Sequence, residues 1–412
     1  MDVVCRVCGG RHVELFLDLG DQPHCNRLVP EALLAKTRTD PSYPLRTGFC
    51  HDCTLVQIDH TIPKEQMFSD YPYVSGTTRT LVEHFRLTAA RLVSTYGLKS
   101  GDRVVDIGSN DGSWLAQYHP FGLTALGVEA AANVAAIANA NGIQTLNRFF
   151  NEETADHILS EHGTAQLVTA AGVFFHLEEL HSVVDGIHRL IGEDGVFVVQ
   201  AIYLGGMIEN LAFDQIYHEH LCYYTLRSLE ALFGQHGLSV FDVGLVPIHG
   251  GSIEVHVARA GTRVASPRVA LFRETEKQKG FGEFDTYRRF ADQVWELRDQ
   301  LVGLLRDFRG QGLTIHAFGA PAKGATLLNS FGIGPDLVAK AVEKNPMKVG
   351  MAIPGCRIPI VGEDVAQPDA FLMLAWNFLD EFLAREKPYL DAGGRFIVPV
   401  PELKIIGGDA HP

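Results

Sequence analysis

The stretch Phe213–Tyr224 holds the densest group of side chains that could move a proton. Two imidazoles, a carboxylate and a phenol stand close together at Tyr217, His218, Glu219 and His220. Such groups can abstract a proton, orient the abstracting group and stabilise an oxyanion, which are the roles needed to form a carbanion beside a carbonyl. The order His-Glu-His differs from the His-Glu-x-x-His of zinc proteases and disfavours a metal in this stretch. A solvated polar turn is the competing interpretation.

Two further histidines lie beside glycines. His176 follows the apolar run Gly172–Phe175 and a predicted strand, so it lies at the carboxyl edge where doubly wound sheets bind ligands. His249 precedes Gly250 and Gly251, which would let a substrate approach the backbone closely. A hairpin turn explains the residues around His249 equally well.

A glycine-rich turn joins a predicted strand to a helix over Val104–Gly112. Gly108 and Gly112 allow a ligand to approach the backbone without a Cβ in the way. The turn is not the dinucleotide fingerprint, because it lacks a middle glycine and the side chains of Asn110 and Asp111 occupy the room that a pyrophosphate needs. A strand-to-helix connector that binds nothing is the competing interpretation.

Acids near this turn indicate the kind of ligand. Asp106 lies at the end of the strand, and Glu129 lies at the end of the next strand. Carboxylates there suit a ligand with positive charge and a free ribose, because a carboxylate accepts hydrogen bonds from both ribose hydroxyls. We therefore expect S-adenosylmethionine as cofactor, with a nicotinamide dinucleotide as the main rival. Phe149 and Phe150 are candidates for packing near the adenine, although core packing explains them as well.

A second strand-to-helix turn, Phe318–Thr326, carries Lys323. The lysine suits an anion, and a diphosphate resting at the start of the following helix would explain why a second α/β domain is present. Glu343 lies at the end of the next predicted strand, where it would reach the sugar or base of the same nucleotide. Lys323 and Glu343 are thus predicted to bind the substrate.

Two Cys-x-x-Cys hooks stand near the N-terminus, formed by Cys5, Cys8, Cys50 and Cys53. Four thiolates at this spacing close the tetrahedral shell of a structural zinc ion and leave no position for a substrate. A pair of disulfides is the weaker alternative. The remaining cysteines are expected to be ordinary buried thiols at Cys25, Cys222 and Cys356.

Composition limits the class of protein. A chain of 412 residues exceeds the usual size of one core, so two or three domains are expected. The formal charge of −14, without a lysine or arginine stripe, argues against a nucleic-acid partner. We expect no secretory signal and no membrane span, and thiolates kept for a metal fit a cytoplasmic protein. The oligomeric state is left open, with a monomer among the options.

Strand-like and helical patterns alternate along most of the chain, which is typical of α/β folds with doubly wound parallel sheets. After a small zinc-binding domain (1–70), the alternation predicts a doubly wound Rossmann-like domain over 71–262. A second, smaller Rossmann-like α/β domain is predicted over 263–412. The main predicted strands are Arg103–Ile107, Ala125–Val128, Ile143–Leu146, Gln166–Ala170, Val196–Gln200, Leu313–Phe318, Leu337–Val342, Ala370–Ala375 and Arg395–Val400.

Taken together, these motifs resemble one family over nearly the whole chain. The resemblance is to three-domain nucleotide-sugar C-methyltransferases, which make branched deoxysugars. It rests on the two cysteine hooks, Tyr-Pro-Tyr73, Val-Val-Asp-Ile-Gly108-Ser-Asn-Asp-Gly112, Ile-Tyr-His-Glu-His220, His249-Gly-Gly-Ser, Phe-Gly-Ala-x-Ala-Lys323-Gly and Leu-Ala-Trp-Asn377.

The resemblance implies a function and a role for each motif. The first domain would bind zinc, the middle domain S-adenosylmethionine, and the C-terminal domain would help to hold a dTDP-4-keto-deoxysugar that is methylated at C-3′. His220 would remove the C-3′ proton, with Tyr217 and Glu219 positioning the base or the substrate. Tyr73 and His176 would reach the sugar. His249 and Asn377 would join Lys323 and Glu343 in binding the substrate, in a pathway of deoxysugar and antibiotic biosynthesis.

Two stretches depart from the family pattern. Ala170–Phe175 stands where family members commonly have an asparagine-rich segment, and Gln200–Tyr203 stands where they often carry an acid and a proline. The changes remove hydrogen bonds that a sugar would use, so they bear on the identity of the acceptor. A methyltransferase for a non-sugar intermediate, acting on carbon, oxygen or nitrogen, and a non-catalytic zinc-stabilised binding protein are the alternatives.

Overall fold

The computed structural model describes residues 3–34, 40–248 and 250–408. Within these residues the strands form three main sheets and one two-stranded pairing. The fold is the predicted α/β arrangement, with a small zinc-binding part, a doubly wound methyltransferase-type sheet and a C-terminal sheet that is mainly parallel. We use 1–70, 71–262 and 263–412 as proposed domain limits.

The N-terminal part is built around an antiparallel hairpin that brings the cysteine hooks together. Its elements are β1 (Val13–Pro23), β2 (Val29–Pro30), β3 (Ser42–Cys50), β4 (Val56–Ile58) and α1 (Lys64–Phe68). Strand β1 pairs with β3 so that Val13 lies opposite Cys50. The hook before β1 and the hook that begins at the end of β3 therefore meet at one end of the sheet.

The middle part contains a seven-stranded sheet in the order β11-β12-β9-β8-β5-β6-β7. Strand β12 runs antiparallel to both neighbours, whereas the pairings from β9 to β7 are parallel. The strands of this sheet are β5 (Arg103–Ile107), β6 (Thr124–Glu129), β7 (Thr145–Asn147), β8 (Leu167–Ala171), β9 (Val196–Ile202), β11 (Leu238–Val246) and β12 (Ser252–Arg259), whereas the short β10 (Cys222–Tyr223) pairs with β4. The helices are α2 (Arg79–Tyr96), α3 (Ala132–Ala140), α4 (Glu152–His162), α5 (Leu180–Leu190), α6 (Leu204–Glu209) and α7 (Leu226–Gln235).

The order of this sheet opens a cleft. The chain leaves β5 toward β6 on one side and later returns to β8 on the other. The connections therefore diverge at the carboxyl ends of β5 and β8, where ligands bind in sheets of this kind. His249 belongs to the connection between β11 and β12 and lies outside the described residues.

The C-terminal part forms a six-stranded sheet in the order β16-β14-β13-β17-β18-β19, with β19 antiparallel. Its strands are β13 (Ile315–Phe318), β14 (Ala341–Val342), β15 (Met351–Ala352), β16 (Ile360–Val361), β17 (Ala370–Met373), β18 (Arg395–Val398) and β19 (Lys404–Gly407), of which β15 pairs with β2 instead. Its helices are α8 (Pro267–Gln278), α9 (Phe284–Gly310), α10 (Ala322–Ser330), α11 (Leu379–Arg385) and α12 (Lys387–Asp391).

The three parts share one apolar core. Buried side chains from each part, such as Phe49, Val105 and Ile315, belong to one continuous cluster. Helix α9 helps to join them, since Tyr287 stacks on Phe49 of the zinc-binding part with ring centroids 4.7 Å apart. Among the described residues, no helix combines the length and the apolar character that crossing a bilayer requires.

Candidate functional site

The four cysteines of the two hooks converge at the end of the β1–β3 hairpin. The sulfur atoms of Cys5 and Cys53 are 3.5 Å apart, as are those of Cys8 and Cys50, and all four lie within 4.8 Å of one another. Zinc–sulfur bonds of about 2.3 Å place tetrahedral sulfurs roughly 3.8 Å apart. The set fits a zinc ion, so the predicted structural metal site is confirmed.

The turn after β5 is shaped for close approach of a ligand. Gly108 has a φ of +68°, and a Cβ there would lie 2.7 Å from the side chain of Val173. Across the turn, the Glu129 carboxylate accepts the backbone N–H groups of Asn110 and Ala131, both at 2.8 Å. Burial raises the pKa of Glu129, and these hydrogen bonds oppose the rise. The acid is therefore fixed beside the glycine turn.

A cleft of about 1050 Å³, including its open mouth, lies over this turn. We call it the cofactor cleft, and its lining includes Tyr71, Tyr73, Phe85, Gly108, Asn110, Glu129, Arg148, Phe149, Phe150, Val173 and His176. A fixed carboxylate, a glycine turn and aromatic rings suit the ribose, the backbone contacts and the adenine of S-adenosylmethionine.

Two residues predicted to bind the cofactor lie behind the cleft and are not among its lining residues. Asp106 is buried and accepts a hydrogen bond from the Thr169 hydroxyl at 2.6 Å. Burial raises the pKa of Asp106 to about 7, against the effect of that hydrogen bond. A Cβ on Gly112 would lie 2.9 Å from the side chain of Ile143. Asp106 and Gly112 therefore contribute to the packing of the turn and not to the surface of the cleft.

Asn110 holds the wall of the cofactor cleft. Its side-chain oxygen accepts the Ser75 N–H at 2.8 Å, and its amide donates to the Tyr73 carbonyl at 3.1 Å. The neighbouring Asp111 accepts the Gly76 N–H at 2.9 Å. The polar side chains of the turn thus anchor the segment that covers the cleft.

Two imidazoles meet beside the cleft. The ring centroids of His176 and His220 are 5.1 Å apart, and the backbone bond from Leu221 N–H to the Phe175 carbonyl, 2.7 Å, holds their segments together. Nδ1 of His220 lies 2.8 Å from the Gln215 carbonyl oxygen, and Nδ1 of His176 lies 2.5 Å from that of Glu219.

These carbonyl contacts fix the tautomer of both rings. A carbonyl oxygen only accepts, so Nδ1 carries the hydrogen in each ring and Nε2 is the basic nitrogen of the neutral form. Burial lowers the pKa of His176, and the charge of Glu219 opposes this effect. These effects together favour the neutral form of the ring.

Glu219 and two tyrosines complete the group. The Tyr71 hydroxyl donates to Oε2 of Glu219 at 3.0 Å, and the Tyr217 ring lies 3.9 Å from the His220 ring, centroid to centroid. Burial opposes ionisation of Glu219, but hydrogen bonds and the charge of His24 outweigh it and lower the pKa. Tyr71 is absent from the predicted site, whereas the predicted Tyr73 is 41% exposed and lines the cofactor cleft.

His218 points away from this group. Its Nε2 donates to the Pro44 carbonyl at 3.1 Å, and its ring packs edge-on against Tyr43. Burial lowers its pKa to about 4. Of the two histidines that flank Glu219, only His220 joins His176.

The residues predicted to bind the substrate from the C-terminal part lie at the carboxyl ends of β13, β14 and β17. Lys323 donates to the Asn377 side chain at 2.6 Å and lies 3.7 Å over the Trp376 ring. Burial lowers the pKa of Lys323 to about 8, while Asp214 opposes this effect. The structure thus brings Lys323 and Asn377 together.

Glu343 lies beside the same glycine turn. Its carboxylate accepts the backbone N–H of Ala320 at 2.9 Å, and those of Lys344 and Asn345 at 2.9 and 3.0 Å. These bonds fix the acid at the end of β14. The C-terminal sheet therefore presents a glycine turn, a lysine and an oriented acid at one edge.

The fold and the cofactor cleft define a methyltransferase. Three family models match the chain: a zinc binding domain over residues 5–68, a methyltransferase domain over 81–243, and a C-methyltransferase C-terminal domain over 247–401. The chain is 36% identical over 410 residues to the C-methyltransferase NovU of Streptomyces niveus, covering 98% of this chain and 97% of that protein.

The chain therefore belongs to the family of three-domain C-methyltransferases that carry an N-terminal zinc-binding domain. It is an S-adenosylmethionine-dependent C-methyltransferase, with a structural zinc ion as its second cofactor. These findings confirm the predicted family, class of enzyme and cofactors.

Solved structures of other methyltransferases align with part of the chain. Magnesium protoporphyrin IX methyltransferase of Synechocystis PCC 6803 is 14% identical, and the alignment covers 44% of this chain and 82% of that one, with a TM-score of 0.33. The CcbJ methyltransferase of Streptomyces caelestis is also 14% identical, over 43% of this chain and 90% of that one, with a TM-score of 0.33.

Proposed function

We propose that the enzyme methylates the carbon beside a ketone, namely C-3′ of a dTDP-4-keto-deoxysugar. The observation that carries this proposal is the pair His176 and His220, whose rings lie 5.1 Å apart beside the cofactor cleft. A base in this place can deprotonate a carbon acid, since a neighbouring ketone makes a C–H proton removable. Oxygen and nitrogen acceptors are the rival substrates.

His220 acts as the base in this proposal. Its Nε2 takes the proton from C-3′, and the electron pair of the broken C–H bond moves into the ketone to form an enolate. In this proposal the hydroxyl of Tyr217, whose ring lies 3.9 Å from that of His220, donates to the enolate oxygen. His176, Tyr73 and Tyr71 line the cofactor cleft. In this proposal they reach the sugar from that side.

The cofactor is held by the turn and the acid beside it. Glu129 accepts the ribose hydroxyls, Gly108 and Asn110 form the turn beneath, and Phe150 packs near the adenine. When bound, S-adenosylmethionine supplies an electrophilic methyl group to the carbon nucleophile. The buried side chains around His220 exclude water, which would otherwise compete for the base.

The C-terminal sheet holds the nucleotide. Lys323 offers a positive charge at the turn after β13, and Glu343 and Asn377 lie at the ends of the neighbouring strands. This placement supports a nucleoside diphosphate as the anionic half of the acceptor. It also supports a place in deoxysugar and antibiotic biosynthesis, which the similarity to NovU favours.

The test uses methyl-labelled S-adenosylmethionine and a dTDP-4-keto-deoxysugar. We expect label on a ring carbon of the sugar, lost in His220→Ala with nearly unchanged cofactor affinity. His218→Gln is the matched control, because His218 faces Pro44 and glutamine keeps a donor for that carbonyl. Label on an oxygen or nitrogen, or none with any keto sugar nucleotide, would overturn the proposal.

Solvent deuterium exchange at the acceptor carbon, without methyl donor, tests the base alone. Exchange in the wild type and in His176→Ala, but not in His220→Ala, is the expected result. Exchange that survives in His220→Ala and stops in His176→Ala would move the role of base to His176, which lines the cofactor cleft.

A further inference from the structure

The zinc-binding part reaches the Glu219 carboxylate directly. The chain leaves β1 at Pro23, and the next three residues, His24, Cys25 and Asn26, each place a donor at Oε1 of Glu219. The distances are 2.9 Å from Nε2 of His24, 3.7 Å from Sγ of Cys25 and 2.6 Å from Nδ2 of Asn26. Three donors from one domain therefore hold one carboxylate oxygen of another.

Glu219 in turn forms hydrogen bonds with two residues of the proposed site, Tyr71 and His176. Its second oxygen, Oε2, accepts the hydroxyl of Tyr71 at 3.0 Å. Its backbone carbonyl oxygen lies 2.5 Å from Nδ1 of His176. A rotation of the Glu219 side chain would release Tyr71, and a shift of its backbone would move the His176 ring.

We propose that His24 and Asn26 are positioning residues for the methyl-transfer reaction, acting through Glu219. The zinc-binding part is then a piece of the active site as well as a stabilising module. The inference rests on the proposed function, since it assigns these residues to the deprotonation of the acceptor. In this proposal both residues act through the orientation of Glu219, Tyr71 and His176, and not by contact with the reacting atoms.

The zinc site and this hold are connected through one strand. Strand β1 begins opposite Cys50 at the metal site and ends at Pro23, immediately before His24. Its pairing with β3 continues to that end, where Pro23 lies opposite Ser42. The hairpin that the metal fixes at one end thus presents His24 and Asn26 at the other.

The first test compares His24→Ala and Asn26→Ala, which remove the two side-chain donors, in the full-length, zinc-loaded enzyme. We expect kcat to fall at least tenfold in each, while the dissociation constant for S-adenosylmethionine and the zinc content stay at wild-type values. Arg27→Ala is the control, because Arg27 is the exposed neighbour and has no part in the contacts with Glu219. An unchanged kcat in both variants would overturn the inference. It would leave the proposed function intact, provided that the wild-type enzyme methylates the keto sugar.

A double-mutant cycle separates positioning from a merely structural role. In a Glu219→Gln background, His24→Ala should cause less than a twofold further loss of kcat, because its path of action is already broken. Additive losses would overturn the inference. The same holds if kcat falls only together with zinc content or cofactor affinity.

The pH profile supplies a readout that misfolding would not produce. The groups that face Glu219 are His24, Cys25, Tyr71, His176 and Tyr217. Burial raises the pKa of Glu219 and His24 lowers it, so His24→Ala should move the acid limb of the pH profile of kcat to higher pH. An acid limb that stays at its wild-type pH would contradict the inference. So would a wild-type protein that binds two equivalents of zinc and loses one of them in Cys25→Ser, because His24, Cys25 and Glu219 would then be metal ligands.

Discussion

The indole N–H of Trp376 donates to a carboxylate oxygen of Asp214, 2.7 Å away, and thereby joins the C-terminal sheet to the stretch that carries His220. Asp214 is buried, and burial raises its pKa against the effects of Lys323 and of this hydrogen bond. The hydrogen bond from Trp376 thus gives the buried carboxylate of Asp214 a donor.

Trp376→Phe should lower the free energy of unfolding by about 1–3 kcal/mol, because it leaves a buried acceptor without its donor. Thermal denaturation with a matched Trp295→Phe control measures the effect, since Trp295 lies on α9 away from this contact. Adding Asp214→Asn to Trp376→Phe should recover part of the loss by removing the buried charge. Equal melting temperatures for Trp376→Phe and wild type would contradict this account.

The sheets were predictable because their strands are buried on both faces. The strand-like patterns of Arg103–Ile107 and Val196–Gln200 predict strands, and the structure has largely buried strands at Arg103–Ile107 and Val196–Ile202. The region Arg273–Arg309 has a helical pattern interrupted by glycines, and it forms two helices, α8 and α9. Strong local patterns thus specify the elements.

Pairings between distant segments left no such pattern. Strand β10 has two residues, and it pairs with β4 of the zinc-binding part through Cys222 and Gln57. The contact of His24 with Glu219 joins residues 195 positions apart. No periodicity connects such residues, so the sequence predicted the components of the site but not the hold that the zinc-binding part has on it.

The choice between Tyr71 and Tyr73 shows the same limit. Both lie in one turn, and the sequence offers no reason to prefer either for a buried site. The backbone turns Tyr71 toward Glu219 and leaves Tyr73 at the cleft wall, tied through its carbonyl to Asn110. The folded backbone brings the Tyr71 hydroxyl to Glu219, and a local sequence pattern does not show which of the two tyrosines will make this contact.

Glu129→Gln should weaken binding of S-adenosylmethionine by tenfold or more. The amide keeps one acceptor for the backbone N–H groups but loses the charge that strengthens hydrogen bonds from the ribose, worth about 1.5–3 kcal/mol. Isothermal titration calorimetry measures the affinity, with Glu153→Gln, an exposed acid in the first turn of α4, as control. Unchanged affinity would remove Glu129 from the cofactor site.

Asn110 separates a conformational effect from a hydrogen-bonding one. Its φ of +50° suits glycine, so Asn110→Gly keeps the backbone shape but loses the bonds to Ser75 and Tyr73. We expect weaker cofactor binding in both Asn110→Gly and Asn110→Ala. The alanine variant should be less stable to unfolding than the glycine variant by about 1–2 kcal/mol, because alanine is strained at a positive φ. Faster amide hydrogen exchange over residues 73–76 in both variants would verify the cause. Exchange at the wild-type rate would refute it.

His218 makes the folded protein sensitive to acid. Burial lowers its pKa from 6.5 to about 4, with the charges of His60 and His24 adding to the effect. Below pH 6.5 the unfolded chain binds the proton more tightly, so this residue removes stability as the pH falls, by about 3 kcal/mol near pH 4. The loss of stability between neutral and mildly acidic pH should therefore be smaller in His218→Phe than in wild type. Identical pH dependence in urea denaturation would show that His218 does not contribute.

Cys5→Ser should abolish zinc binding together with the yield of folded protein. The four sulfurs hold the ends of β1 and β3, and Phe49, next to Cys50, stacks on Tyr287 of α9, so loss of the metal loosens the packing of the C-terminal part as well. Binding energy at a structural zinc site is folding energy, and a serine hydroxyl does not replace a thiolate ligand. Metal analysis of the purified protein, with Cys356→Ser as control, measures the effect, because Cys356 is half-buried in the C-terminal part and outside the cluster. A Cys5→Ser protein that keeps one full equivalent of zinc at wild-type yield would exclude the four-cysteine site.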